Sequence, residues 1–209
     1  MDKSAKIINI DNNFDKAVSE AVKCYNTGEV FIYPTDTVYG FGCNPLDDDS
    51  IEKLNVIKQR DQSKQFILLI DSISTLSNYI FLPGKIKEDF LENLWPNPIS
   101  IIFKLNDEKR AMLDMETAAF RIPDHKFCCR FLEEIKSPLV STSVNRKDGP
   151  PMNDHSLIIN EFSGEVSAVF YQNYEGKNEP STLVDLTGEK PVILRQGSTK
   201  FVELFEKLQ

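Results

Sequence analysis

Histidine is almost missing from this chain: His125 and His155 are the two in 209 residues, too few for a multi-histidine metal centre. Cysteine is scarce as well. Cys24, Cys43, Cys128 and Cys129 form no Cys-x-x-Cys pair, and neighbours Cys128 and Cys129 would bridge awkwardly. A disulfide framework or zinc knuckle is therefore not expected, and the four read as small buried hydrophobes. No apolar run approaches the ~20 residues of a membrane span. The charged start, Met1 to Lys6, has no apolar segment behind it, so no secretory signal is expected and the cytoplasm is the expected compartment. Positive charge is also short. A net charge of −8 repels polyphosphate at long range and disfavours avid sequence-independent binding of nucleic acid. Screening confines that repulsion to ~8 Å, so a local basic cluster can still hold an anion. Two common nucleotide signatures fail too. No G-x-x-x-x-G-K-[ST] loop occurs, and Gly40-Phe41-Gly42 runs into Cys43-Asn44-Pro45, which breaks the dinucleotide fingerprint.

What is present suits one α/β domain spanning residues 1–209, since the sequence has no repeat, low-complexity linker or break in composition. Phe14, Ala17, Val18, Ala21, Val22 and Tyr25 recur at helical spacing, with Asn12 or Asn13 as cap and Gly28 beyond the end. Asp49-Ser50-Ile51-Glu52 resembles a capping box for a helix ending in Lys58-Gln59-Arg60. Further helices are expected from Pro83 to Leu94 and from Lys126 to Ile135, and the tail from Lys200 is amphipathic. Strands are expected at Val30–Tyr33, Phe66–Ile70, Ile99–Leu105, Ala118–Ile122, Leu139–Ser141, Val166–Tyr171, Thr182–Asp185 and Val192–Leu194. The stretch from Thr142 to Asp154 is too rich in Pro, Gly, Asn and Asp for regular structure.

The chain is organised around Tyr33-Pro34-Thr35-Asp36-Thr37-Val38-Tyr39-Gly40-Phe41-Gly42. Pro34 ends a buried strand, and hydroxyls and a carboxylate crowd the positions after it. Gly40 and Gly42 then permit backbone angles or close approaches that a side chain would forbid. Such a loop suits a small polar ligand, although an ordinary strand-to-turn corner uses the same residues. Cations stand near other strand ends: Lys58, Arg60, Lys64, Arg121, Arg146 and Arg195. Arg offers a planar fork for carboxylate or phosphate and Lys a point charge; each alone also fits a solvated surface.

Their order carries more than any one of them. P-T-D-T-x-Y-G-x-G, K-x-R-x-x-x-K, W-P-x-P, F-R-I-P, S-x-S-x-N, S-T-x-V-D-L-T-G and I-L-R-x-G follow one another from about Val30 to Gly197. In this the chain resembles the TsaC/YrdC family of threonylcarbamoyl-AMP synthases, in the short form without an extra C-terminal domain. The resemblance implies a twisted mixed sheet with helices around an open basic cavity. It implies a nucleotidyltransferase that converts L-threonine, bicarbonate (or CO2) and ATP, with Mg2+, to threonylcarbamoyl-AMP and pyrophosphate for the t6A modification of tRNA. Thr35, Arg121, Ser141 and Ser181 then correspond to threonine-binding positions. Lys58, Arg60, Thr117, Ser143, Asn145 and Arg195 correspond to ATP-binding ones, with Lys58 and Arg60 as the catalytic cations. Tyr39 and Lys64 line the cavity, and no metal ligands are indicated. A TsaD-type transferase complex is the implied downstream partner, with tRNA contact weak or indirect and no membrane.

The chain departs from the family pattern at Gln65, Asn97, Val144 and Gln196, and Arg146-Lys147-Asp148-Gly149 replaces a Ser-Gly pair. None of these changes removes a charged ligand. Two alternatives are a carbamoyl-adenylate site, as in hydrogenase maturation proteins, and a non-catalytic double-stranded RNA-binding module. The sequence pI of about 4.9 disfavours the second.

Overall fold

The computed structural model describes residues 4–59, 66–82, 88–147, 149–173 and 179–202. In chain order these form β1 (Lys6–Asn9), α1 (Phe14–Asn26), β2 (Phe31–Tyr33), β3 (Gly40–Gly42), α2 (Asp48–Lys58), β4 (Ile67–Leu69) and α3 (Ile73–Ser77). Next come α4 (Glu88–Leu94), β5 (Ile99–Lys104), α5 (Asp107–Leu113), β6 (Thr117–Arg121), α6 (Lys126–Ile135) and β7 (Leu139–Ser143). The last are α7 (His155–Phe162), β8 (Ala168–Tyr171), β9 (Thr182–Asp185) and β10 (Val192–Arg195). The strands join one mixed sheet in the order β1-β8-β2-β3-β7-β4-β6-β5-β9-β10. This is the α/β class that the sequence implies.

Period-two alternation divides the core into two layers. Phe31, Tyr33, Leu69, Leu139 and Phe170 face α1 and α6, where Ala17, Val18, Ala21, Phe127 and Phe131 close over them. Phe31 meets Phe131 and Phe170 edge-on, contacts that add ~0.5–1.5 kcal/mol each to the burial of the rings. Ile32, Phe41, Leu68, Phe120 and Val140 face the opposite way, into a layer shared with Leu54, Leu94 and Phe162.

Asn13 caps α1 as expected, its side chain accepting from Lys16 N. The cap of α2 is Asp47, which accepts from Ser50 N at 3.2 Å, so that helix starts ahead of the Asp49 capping box read in the sequence. A third acidic residue at Asp47 competes for the same first-turn amides and wins. The glycines after Tyr39 are strand rather than loop: Gly40-Phe41-Gly42 pairs antiparallel with β2. Their use is close approach. A Cβ on Gly42 would sit 2.7 Å from Tyr33 Cε1 and 3.1 Å from Phe31 Cε2. β7 continues to Ser143, past the Ser141 limit set by apolar residues, because its ladder with β3 pairs Ser143 with Gly40. Three helices, α3, α5 and α7, and strand β1 lie where no regular element was expected. The helix start at Pro83 and the tail beyond Val202 fall outside the described residues. No described helix is long and apolar enough to cross a membrane.

Candidate active site

Sheet register builds the site. Residues side by side in a ladder share a face, and Tyr33 pairs with Gly40, Gly40 with Ser143, Ile67 with Ser141, and Leu69 with Arg121. Ser143, Ser141 and Arg121 therefore share the face that carries Tyr33 and Leu69. The same alternation continues outward: Ile101 pairs with Phe120 on the opposite face, which turns Ser100 towards the side of Arg121. Leu183 pairs with both Ser100 and Arg195. Polar residues thus recur on one face between β7 and β10, at Ser143, Ser141, Arg121, Ser100 and Arg195, where α1 and α6 do not cover it.

Burial makes this informative, because each withdrawn polar group costs free energy unless it is bonded. Among the described residues nine polar or charged side chains are buried, and five of them (Thr35, Lys58, Arg121, Ser141 and Ser181) are site residues read from the sequence. Three more are their direct neighbours. Thr37 Oγ1 lies 2.9 Å from Thr35 Oγ1, Ser100 Oγ lies 2.8 Å from Ser181 Oγ, and Thr182 adjoins Ser181.

The loop from Pro34 to Tyr39 folds onto this face. Thr35 Oγ1 donates to Val38 O and accepts from Thr37 N, an internal turn that fixes its hydroxyl. Asp36, in the middle of that turn, reaches Arg121. The guanidinium donates from Nη1 to both carboxylate oxygens at 2.9 Å, with the two side chains 3% and 8% exposed. Arg121 Nε is buried without an acceptor. One nitrogen of the fork is held and the rest has no partner among the described residues, an arrangement able to take a second carboxylate. Nearby, Arg195 donates from Nε to Ser181 O at 3.0 Å and from Nη2 to Ser181 Oγ at 3.2 Å. Arg195 belongs to an exposed strand, yet desolvation first and the charge of Arg121 second lower its pKa. The two guanidinium groups feel each other, so residues far apart in sequence share one electrostatic neighbourhood.

A second cluster sits at the end of β7. Lys58, in the last turn of α2, sends Nζ to Ser143 O at 2.5 Å and to Asn145 Oδ1 at 2.7 Å. Its ammonium also lies over the Phe41 ring, 5.3 Å from the centroid. Ser143 Oγ donates to the same Asn145 Oδ1 at 2.8 Å, and Asn145 Nδ2 donates to Gly149 O at 2.7 Å. Ser143 thus links Lys58 and Asn145 to the face that carries Ser141.

Gly197 closes the far end. A Cβ there would lie 2.1 Å from Pro180 O and 2.6 Å from Ser181 C, so the segment after β10 rests directly on the backbone that presents Ser181. Tyr39 is buried, and its hydroxyl accepts from Gln172 N at 3.4 Å. His125 caps α6 without a side-chain capping bond, its Nε2 lying 3.2 Å from Gln172 Oε1 instead. Burial lowers its pKa, with the Gln172 bond and the Asp36 charge opposing that shift.

Not every residue in the sequence reading joins these clusters. Thr117 opens β6 while Arg121 ends it, ~13 Å apart at strand rise, so the structure does not bring Thr117 to the Arg121 cluster. Arg146 turns to Glu161 and Glu165. Arg60 and Lys64 fall outside the described residues. Two residues were missed. Asp36 stood in the P-T-D-T run without a role, and Ser100 was the one hydroxyl in the apolar run Ile99–Phe103, which was its only signal.

Arg121 and buried hydroxyls along one face of a twisted mixed sheet, with Lys58 bonded at the end of β7, make a candidate site for a polar, anionic ligand in an α/β protein. The chain belongs to the Sua5/YciO/YrdC family, whose model, described as telomere recombination, matches residues 23–197. A threonylcarbamoyl-AMP synthase of Vibrio campbellii is 31% identical over 186 residues, which cover 87% of this chain and 100% of that one. The structure of Escherichia coli YciO superposes with a TM-score of 0.84 at 27% identity, covering 97% of this chain and 99% of that one. Sua5 of P. abyssi in complex with L-threonine gives a TM-score of 0.85 at 25% identity over 97% of this chain; the match spans 60% of that longer protein.

Proposed function

We propose that the chain is a nucleotidyltransferase that forms threonylcarbamoyl-AMP from L-threonine, bicarbonate or CO2, and ATP, for t6A modification of tRNA. The observation that carries this reading is the Asp36–Arg121 pair, a buried guanidinium with only part of its fork engaged, with Thr35 next to Asp36 in the turn and Ser141 on the same sheet face. Arg121 would take the amino-acid carboxylate, and the hydroxyls would read the threonine side chain. A site that bonds a substrate hydroxyl can reject an analogue lacking it by ~10⁴–10⁵. Serine keeps the hydroxyl and is discriminated by one methyl, worth only ~1–3 kcal/mol.

The chemistry then needs charge stabilisation more than proton transfer. The threonine amine adds to CO2 and gives up a proton to water to form a carbamate, a carbamate oxygen attacks the α-phosphorus, and the bond from that phosphorus to the bridging oxygen breaks, releasing pyrophosphate. Negative charge spreads over phosphate oxygens, which preorganised cations stabilise. Lys58, Ser143 and Asn145 would supply this from the end of β7 and Arg195 from beside Ser181; Arg60 joins them by the family resemblance. Lys58 has its hydrogens on protein acceptors, so a phosphate oxygen would take the place of one of them. No group of three or more metal-ligating side chains occurs among the described residues. Mg2+ would accordingly be carried by the ATP phosphates, as this ion commonly is, and would neutralise charge there.

The test is pyrophosphate release with single components withheld. Release should require L-threonine, bicarbonate and ATP together. Release supported instead by carbamoyl phosphate and ATP would favour the hydrogenase-maturation type of site.

A further inference from the structure

We propose that Arg146 is a positioning residue for Lys58; the proposal rests on the reading of Lys58 given above. Arg146 occupies the stretch where this chain departs from the family pattern, directly after Asn145. Its guanidinium is turned away from the site and closes a clasp between α2 and α7. Nη1 donates to Ile57 O at 2.8 Å and to Glu165 Oε2 at 3.0 Å. Nη2 donates to Glu165 Oε1 at 2.5 Å, and Nε to Glu161 Oε1 at 2.9 Å. The guanidinium carbon lies 4.4 Å from the centroid of Phe162. Four donors and one face of the group are thus engaged, so it has little freedom to swing.

The clasp adjoins Lys58 in two places, at Ile57 and at Asn145. At the C-terminus of α2, Gln59 adopts a left-handed cap and its N–H serves Asn55 O and Val56 O. The next carbonyl, Ile57 O, is one of the acceptors a helix end leaves unfilled, and Arg146 fills it. Ile57 precedes Lys58, so the backbone that carries the catalytic cation is tied to α7. Asn145 precedes Arg146 and supplies Lys58 Nζ with acceptors from its side chain and from its carbonyl, the latter at 3.3 Å. One guanidinium therefore fixes both the root of the Lys58 side chain and the acceptors at its tip. With two carboxylates on it, Arg146 is neutralised and unsuited to act as a phosphate ligand itself. The fork geometry matters, because a lysine ammonium has three donors on a single atom and cannot reproduce the four contacts spread over the guanidinium.

An ordinary surface clasp would lower thermal stability and nothing else. The distinguishing measurement is calorimetric titration of the full chain with inorganic pyrophosphate plus magnesium, and separately with L-threonine, well below each variant's unfolding temperature. Arg146→Ala should weaken pyrophosphate about tenfold while leaving threonine affinity within about twofold, and Arg146→Lys should recover only part of the loss. The double variant Glu161→Gln/Glu165→Gln, which keeps the arginine but loosens it, should show a smaller loss in the same direction and serves if Arg146→Ala does not fold. Equal loss for both ligands, or loss for neither, overturns the positioning role. Lys58→Ala is titrated alongside. If it binds pyrophosphate as the unmodified chain does, or if the unmodified chain binds none, the reading of the site falls and this inference with it. If Lys58→Ala is weakened and neither clasp variant is, only the clasp is wrong.

Discussion

Asp36 and Arg121, 85 residues apart in the chain, hold one another through two 2.9 Å contacts from a single guanidinium nitrogen. The pair ties the loop after β2 to the end of β6, and it exists because the β2-β3-β7-β4-β6 order brings those two strand ends over the same face. Breaking a buried pair by removing one partner leaves an uncompensated charge and costs ~3–5 kcal/mol. Asp36→Ala should lower the denaturation free energy by about that amount, measured by urea titration. Arg121→Lys should fold more nearly normally and chiefly raise the threonine concentration required for pyrophosphate release. Unchanged threonine dependence would remove Arg121 from the carboxylate role.

Lys58 is both a proposed catalytic group and a structural one. Because it is buried on Ser143 and Asn145, Lys58→Ala leaves acceptors unfilled, at ~1–3 kcal/mol, and also removes the cation from the nucleotide side. Activity should be lost and the melting temperature should fall. The sequence alone suggests that the fold would survive untouched, because a lysine at a helix end reads as solvated; its burial becomes visible only once β7 lies beside α2. Pyrophosphate release at the unmodified rate would sink the catalytic role.

Gly197→Ala tests the closing segment. The added methyl would meet backbone atoms of Pro180, Ser181 and Thr182 within 2.6 Å, which no rotamer change relieves. A stability loss of ~1–3 kcal/mol is expected from such overpacking. A larger proportional loss of activity is also expected, because Ser181 and Arg195 are forced apart. Loss of stability with kcat and KM unchanged would show that Gly197 serves packing only.

How much of this was legible beforehand depended on the length scale of the signal. The strand before Pro34, the Asn13 cap and the apolar runs of β5 and β6 are local, and they read directly. The roles of Asp36 and Ser100 are not local. Asp36 needs Arg121 and Ser100 needs Ser181, and only the sheet order supplies those partners. The α7 helix was missed because His155–Phe162 follows a Pro-rich stretch and carries no strong amphipathic period. Its Asp154 cap, which accepts from Ser156 N and Leu157 N, was present but read as loop. Arg146 was read only as one of several cations near strand ends for the same reason: nothing local announces Glu161 and Glu165 as its partners.

His125 gives a pH dependence with a definite sign. Burial holds its pKa below the ordinary histidine value of 6.5, so the folded protein resists protonation that the unfolded chain accepts. Below that value the unfolded state binds more protons, and stability falls as pH drops from about 6.5 towards the folded pKa. Above it the contribution is fully present. Urea midpoints measured between pH 7.5 and 5 should decline less steeply for His125→Gln than for the unmodified chain. Parallel curves would place the titration elsewhere.

The most direct trial of the account is mass spectrometry of the nucleotide product formed from L-threonine, bicarbonate, ATP and magnesium. The account predicts a threonine- and bicarbonate-dependent adenylate with the mass of threonylcarbamoyl-AMP, absent in Lys58→Ala. Only AMP or unchanged ATP, with the folded chain and all components present, would contradict it.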